Sequence, residues 1–565
     1  MNKLKRIKMK HYIYTILLAV LVLMSSCEDY ITIEPKSEWK LDNYFENPTQ
    51  VDIAFGGMYG MMRSPDLFGE ALSISMAYGT DEGYYNRAYD ERWTVSLNAH
   101  TTLDPFVADT WRNLYTIVHN ANNMITYMDP ANFEEEEYNR YLAEARFLRG
   151  FAYLNLTLWW NEVPLREMPT TDQTSNHVGL STLGDVYNFI IEDLEFASHN
   201  LPHVTDGSYI AGRAHRMAAH GLLARLYMKM GGYPYNNVES YQKALAHCDT
   251  IIYQDVYHQL RVNGDTTGYR DLFIDVIGGE QYDLKENLFE ITFTNNLDIG
   301  MATMGSIGVG NGLLFTAQDG QNYPTTKKNF INASPILDMK YDETDKRKNW
   351  NIPGITINNA LKIVKITGGP LSWGYCPGKF RRWDPENYDE LVDGANVMNY
   401  VLLTNESMIS INQSPINFPV LRYSDVLLMY AEAANEVSGG PTAEALQCIN
   451  EVRDRAGLEA LEVANPSAAG NKDLFFEEIV DERLRELAFE GLRKHDLVRW
   501  GLLDEKLAEV EAAVKGDAIY DALKHDHFLR AVRNFDINKH LALPYPFQEV
   551  TINDKLDQKP EWSSN

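Results

Sequence analysis

The spacing of apolar residues predicts a chain built from repeated helices. From Tyr138 to Trp160, the residues Leu142, Ala145, Leu148, Phe151, Ala152 and Leu158 recur mostly three or four positions apart, which gathers them on one buried helical face. Asn161-Glu-Val-Pro164 ends that helix, because the residue before a proline is pushed out of helical geometry. A second helix runs from Arg216 to Lys229 with Ala218, Leu222, Ala224, Leu226 and Tyr227, and Gly231-Gly232 stops it. A third follows at once, from Tyr241 to Tyr253, with Ala244, Leu245, Ala246 and Ile251. The same arrangement recurs later: Asp425 to Glu436 is broken by Gly439-Gly-Pro441 and followed by Ala443 to Ala456, and Phe475 to Arg499 adds another long helical stretch.

A small-residue helix, a glycine break and a second alanine-containing helix within about 35 residues resemble a tetratricopeptide hairpin. Small side chains let two helices approach closely. The stretches at about 60–110 and 260–420 differ, being rich in Gly, Asn, Asp and aromatics, with short candidate strands at Leu288–Phe293 and Ala360–Lys365. Long loops on a rigid scaffold are where binding residues tend to be placed. The expected fold is therefore mainly α, a helical-repeat scaffold carrying irregular segments and a few short strands. The helical parts are expected at about 104–255 and 420–505, the loop-rich parts at about 40–103 and 256–419, and a C-terminal segment at 506–565.

The N-terminus changes the picture. Lys3, Lys5, Arg6, Lys8 and Lys10 precede an apolar run from Ile13 to Met24, which ends in Ser25-Ser26-Cys27. Twelve helical residues at about 1.5 Å each reach roughly 18 Å, short of the ~30 Å hydrocarbon core, so the run reads as a secretion signal and not as a membrane span. The pattern resembles a bacterial lipoprotein signal over residues 1–26, which makes Cys27 the expected lipid anchor and residue 27 the start of a single body running to 565. Met24 stands where leucine is usual. The pair Glu28-Asp29 resembles the export signal of Bacteroidetes surface lipoproteins, which implies the extracellular side of the outer membrane.

Composition narrows the partners. The chain has 565 residues with a formal net charge of −28, and a form beginning at Cys27 would carry 46 basic and 79 acidic side chains, a net of −33. Such a field repels phosphate backbones, which argues against nucleic acid, and it disfavours polyanionic substrates. Aromatics make up 12%, with 33 tyrosines and 10 tryptophans, supplying rings with a polar tip for surfaces that are both apolar and wet. After Cys27 only Cys248, Cys376 and Cys448 remain. They are odd in number and widely spaced, so buried free thiols are expected, not a disulfide framework or a zinc site.

Catalytic signatures such as HExxH, GxSxG, GxxxxGK[ST] and GxGxxG are not found, and no cofactor is expected. His215 with His220, or His199 with His203, could pair on a metal, but neither pair shows a third ligand, and no metal site is assigned. Asp389 to Gly394 has the outline of a calcium loop, yet Leu391 stands where an oxygen ligand is needed. Asp81-Glu82 offers adjacent carboxylates, whereas glycosidase acids stand about 5–10 Å apart across the scissile bond. The dense charges from Glu482 to Gly501 are read as ion pairs holding a C-terminal helix to its neighbours.

Several long blocks carry a family resemblance. Phe418 to Glu436, Ile449 to Leu458 and Glu482 to Gly501 resemble signatures of the SusD/RagB family. Ala145 to Tyr153 with Glu162-Val-Pro164 resembles its N-terminal signature, and Leu543-Pro-Tyr-Pro546 with Gln558-Lys-Pro560 its C-terminal one, with Tyr545 where isoleucine is common. The resemblance implies four tetratricopeptide-like helix pairs in a curved scaffold, with irregular segments forming the ligand face. It also implies a non-catalytic lipoprotein that captures oligo- or polysaccharide and delivers it to a SusC-like TonB-dependent transporter, the helical side meeting that partner. The alternatives are a receptor of the same family for peptides or another nutrient, and a glycoside hydrolase using Asp81 or Glu82.

Sugar rings have apolar C–H faces and hydroxyl edges, so their sites combine flat aromatics with polar rims. Two clusters have that composition. One holds Asp81, Tyr84, Tyr85, Arg87, Tyr89, Arg92 and Trp93, and the other holds Trp373 and Tyr375, with Arg381-Arg-Trp383 following. Trp350 and Tyr323 are outside candidates. Trp111, Trp159, Trp160 and Trp500 lie in helical patterns and are expected to pack. If the first cluster meets the ligand, replacing Trp93 and Tyr84 by alanine should abolish glycan binding and leave stability nearly unchanged.

Overall fold

The computed structural model describes residues 44–87, 90–172, 174–262, 268–278, 282–296, 301–314, 329–358, 360, 362–366, 375–385, 400–402 and 413–563. The signal segment with Cys27, the Asp389–Gly394 stretch, Tyr89, Tyr323 and Trp373 lie outside these residues.

After α1 (Pro48–Met62), eight helices form a serial stack: α2 (Pro105–Tyr127), α3 (Glu135–Trp160), α4 (Leu183–Asn200), α5 (Arg216–Gly231), α6 (Ser240–Asp249), α7 (Tyr423–Ser438), α8 (Ala443–Arg455) and α9 (Lys472–Glu486). Each packs on the next, and α7 packs on α6 although some 170 residues of chain separate them. This is a tetratricopeptide-like scaffold, mainly α. Local chemistry fixes the helix ends. Asp104 accepts hydrogen bonds from the backbone N–H groups of Phe106 and Val107 and so caps α2, Thr182 caps α4, Thr442 caps α8 and Asn471 caps α9. Gly439 closes α7 at φ +70°, a left-handed conformation that glycine adopts without strain. Two short helices, α10 (Arg493–Trp500) and α11 (Leu503–Gly516), follow the stack.

The strands come in separate antiparallel pairs. β1 (Gly83–Tyr85) pairs with β3 (Ile331–Ala333), and β2 (Asn287–Ile291) pairs with β4 (Phe418–Arg422), whose register is irregular between Pro419 and Arg422. β4 runs straight into α7 and lies against α5. Its Leu421 comes so close to Gly221 that a Cβ there would stand 2.3 Å from Leu421 Cδ2, so any larger residue at that crossing would have to displace the Leu421 side chain. A chain of rings joins scaffold to loops: Phe151 on α3 meets Phe289 of β2 and Phe68, and Phe68 meets Phe418 of β4.

Charge joins the same parts. Arg422 of β4 is 1% exposed and donates to Glu286, Glu486 and Glu490 at 2.8–3.0 Å. Arg455 of α8 pairs with Glu286 and Glu486, Arg347 with Asp345, Glu482 and Glu486, and Lys379 with Glu490. A second group links Arg483 to Asp425 and Asp496, and Arg499 to Asp496 and Glu432. The charges of 482–501 are thus ion pairs, but most partners are far away in sequence. Within its own stretch only Arg485–Glu482 and Arg499–Asp496 fit helical spacing. Burial alone would raise the Glu482 carboxyl, yet Arg347 and Arg485 outweigh it and hold it at about 2. Arg483 and Arg225 likewise overcome burial and hold Asp425 at about 2. Cys248, Cys376 and Cys448 are buried and unpaired.

Candidate functional site

β3 brings the two aromatic–polar clusters together. On one side Tyr84 and Tyr85 of β1 pair with Asn332 and Ile331, and on the other the Ala333 N–H donates to the Tyr375 carbonyl at 2.8 Å. The joining segment, Asn329 to Ala333, was not singled out in the sequence. It reads Asn-Phe-Ile-Asn-Ala, too short and without the strict polar–apolar alternation that would mark a strand.

Within this junction most of the expected ligand residues face inward. Asp81 is 1% exposed and receives two hydrogen bonds from Arg493, at 2.8 and 2.6 Å. Tyr84 lies 4.2 Å from Phe528, and its hydroxyl accepts from Asn332 at 3.2 Å. Tyr85 stacks on Trp93 at 4.7 Å, and Trp93 is itself 1% exposed. Burial pushes the Tyr85 phenol up to about 12, so it stays neutral. The expectation of ligand contact by Asp81, Tyr84, Tyr85 and Trp93 is therefore corrected. These rings fill the gap between loop and scaffold because stacking on one another removes more apolar surface from water than facing outward. Trp350, 1% exposed beneath Arg381 at 3.9 Å, is another packing ring.

The carboxylate pair proposed for a hydrolase is also enclosed. Glu82 is fully buried, accepts the backbone N–H of Phe489, and is pushed by burial up to about 7, with Phe489 and Arg493 pulling the other way. Neither Asp81 nor Glu82 presents an oxygen to solvent, so neither can protonate a glycosidic bond from this position.

What does face solvent is a rim. Arg87 is exposed and its guanidinium lies 4.7 Å over the half-buried Phe330 ring. Its carbonyl accepts from Arg530 at 2.5 Å. Asn86 donates to the side chains of Asn329 and Asn332, both at 2.9 Å, which holds it beside Arg87. Arg92 is exposed and loosely paired with Glu70 at 3.5 Å, and Tyr375 is half-buried. Chemically this is a flat ring edge bordered by cationic and amide donors, a set suited to hydroxyls and C–H faces. The packing tryptophans behave as expected: Trp111, Trp159 and Trp160 are at most 5% exposed, and Trp500 donates to Glu432 at 2.8 Å.

A helical-repeat scaffold bearing a loop-built face defines a class of binding protein, and comparison with known proteins gives the class its family. Residues 313–562 match the model of the SusD family, and residues 34–228 match a model described as starch-binding, associating with the outer membrane. The chain belongs to the SusD/RagB family. It is 25% identical over 563 residues to SusD-like protein P25 of Formosa agariphila, covering 96% of this chain and 98% of that one. It is 24% identical to a SusD-like protein of Bacteroides ovatus, with 98% of each covered. Among solved structures, a SusD homolog from Bacteroides thetaiotaomicron matches with a TM-score of 0.77 at 25% identity, covering 92% of this chain and 98% of that one. A laminarin-binding SusD-like protein shares the fold at a TM-score of 0.65 and 22% identity, with 91% and 99% covered.

Proposed function

We propose that this protein is a glycan receptor, tethered by acylated Cys27 to the outer face of the outer membrane, that passes captured oligo- or polysaccharide to a SusC-like TonB-dependent transporter. The observation that carries the reading is the match to two family models along the chain, one of them described as starch-binding and outer-membrane-associated. The laminarin-binding relative and the basic leader ending in Ser25-Ser26-Cys27 support it. The exposed rim of Asn86, Arg87, Phe330 and Tyr375 is the proposed sugar contact. Tyr89 stands two residues beyond Arg87 and Trp373 two before Tyr375, and both are proposed to add rings there. The ligand is a neutral glycan, since the −28 net charge opposes polyanions.

The test is affinity electrophoresis in gels containing laminarin, starch or other neutral polysaccharides, with release of reducing ends followed in parallel. Retardation without new reducing ends is expected. A double variant, Arg87→Ala with Tyr375→Ala, should lose retardation while staying folded, its melting temperature lowered by no more than about 3 °C because Tyr375 is only half-buried. Unchanged retardation in that variant would move the site elsewhere, and hydrolysis would overturn the receptor reading. Mass spectrometry of native Cys27 and protease shaving of intact cells check the tether.

A further inference from the structure

The histidines that made unconvincing pairs in sequence meet in a different combination. His203 lies in the turn after α4, His215 precedes α5, and Asp255 and His258 follow the turn that closes α6. Asp255 is the hub. Its Oδ2 contacts His258 Nδ1 directly and lies 3.4 Å from His203 Nε2, while its Oδ1 accepts the Tyr257 N–H at 3.0 Å. One donor atom from each of His203, Asp255 and His258 lies within 4.8 Å of the other two. His215 lies parallel to His258 with ring centroids 5.6 Å apart. His258 is 3% exposed and His215 1% exposed, yet His258 Nε2 and His215 Nδ1 have no hydrogen-bond partner among the described residues. Buried imidazole nitrogens are ordinarily hydrogen-bonded.

We propose that His203, Asp255 and His258 bind a divalent transition metal, with zinc the ion whose preferences they fit best. Two imidazoles and a carboxylate are a zinc ligand set, whereas calcium and magnesium take oxygen. Two atoms each about 2.0–2.1 Å from a tetrahedral zinc stand roughly 3.3–3.4 Å apart; His203 Nε2 and Asp255 Oδ2 already stand 3.4 Å apart, whereas His258 Nδ1 is hydrogen-bonded directly to Asp255 Oδ2 and gives up that contact when the ion enters. The outer nitrogen of His203 faces Thr205 Oγ1 at 2.7 Å, the kind of partner that orients a ligating imidazole. The side chain of His203 is 15% exposed, which leaves a fourth position for water. Such an ion ties the turn between α4 and α5 to the segment leaving α6. The nearby pair His220 and His247 is different: their Nδ1 atoms meet at 3.0 Å, a hydrogen bond between rings, and Glu195 approaches the opposite nitrogen of His247.

The chain from Cys27 onward, stripped with chelator, is titrated with zinc by calorimetry and with cobalt(II) by visible absorption. One equivalent of each is expected, with sub-micromolar zinc affinity and the intense d–d bands of a four-coordinate cobalt site. Asp255→Asn and His203→Gln should each weaken zinc binding at least about tenfold, whereas His220→Ala should not. Melting of each variant in chelator, compared with the parent, confirms that it is folded, and either ligand variant that passes is sufficient. The absence of stoichiometric binding by the parent, binding undiminished in a folded ligand variant, or binding lost in His220→Ala would each overturn the site.

Discussion

Arg422→Met should be among the most damaging single substitutions in the protein, and the structure sets its size. The guanidinium makes five hydrogen bonds: two to Glu490, one each to Glu286 and Glu486, and one to the Glu486 carbonyl. Removing one member of a buried ion pair costs about 3–5 kcal/mol, because the other is left charged and unmatched. Here each carboxylate keeps at least one cation: Lys379 for Glu490, Arg455 for Glu286, and Arg455 with Arg347 for Glu486. The cost therefore falls at the lower end, about 3 kcal/mol. With an unfolding entropy of about 2.1 cal/mol/K per residue, a body of about 500 residues has roughly 1 kcal/mol/K, so the melting temperature should drop by about 3 °C.

The pH dependence separates lost charge from lost packing. Burial would raise the Glu486 carboxyl, but Arg455 and Arg422 override it and hold it far below the ordinary range. A depressed folded pKa means stability that is complete above the unfolded value near 4.5 and is lost as pH falls toward the folded one. Without Arg422 that depression shrinks, so less stability is lost on acidification below the unfolded value. The deficit of Arg422→Met should thus be nearly constant from pH 8 to pH 5 and shrink as the pH falls below about 4.5. Urea melts followed by tryptophan fluorescence measure it without the screening that guanidinium chloride would add. A deficit below about 1 kcal/mol, or one that does not shrink between pH 5 and pH 3.5, would refute the claim that ionised contacts hold the loop face to the scaffold.

Two other predictions test the junction at β3. Trp93→Ala opens a cavity beside Tyr85 and Phe330, and should cost about 3–5 kcal/mol, seen as a melting temperature several degrees lower. A variant that melts like the parent would return Trp93 to the ligand face. Glu82→Gln acts with the opposite pH sign to the ion network. The Glu82 carboxyl is raised to about 7, so its contribution is complete below about 4.5 and lost as pH rises through 7, up to about 3 kcal/mol. The amide can still accept the Phe489 N–H, so the variant should match the parent at pH 5 and exceed it at pH 8. Equal differences at both pH values would sink that assignment.

The helices were legible because their signal is local. In α3 the apolar spacing alone predicts a buried face, and the tryptophans of that pattern are indeed interior. The ring cluster after β1 was legible as a cluster and not in orientation. Tyr84, Tyr85 and Trp93 have the composition of a sugar platform, but composition is the same whether rings stack on a ligand or on one another, and their actual partners, Phe330 and Phe528, are more than 200 residues away. Arg87 differs from its neighbours only in standing past the end of β1, which a three-residue strand does not announce. The metal ligands were hidden for the same reason. His203 was set beside His199 by sequence distance, whereas its partners Asp255 and His258 lie across an intervening helix pair.

The loop segments are rich in Gly, Asn and Asp, so they cannot offer the scaffold a continuous apolar surface of the kind one helix offers the next. A polar segment brought against a core must have its buried groups matched one by one. Arginine suits that task because its fork reaches two or three carboxylates at once in fixed directions. Arg347, Arg422 and Arg455 each hold acids supplied by different elements, so a shift in the register of any one of those elements strands a charge. A buried ionic network adds little net stability compared with apolar packing, but it penalises misplacement heavily. That is the property a receptor needs if Arg87 and Tyr375, held by segments distant in sequence, are to keep a constant spacing toward a sugar.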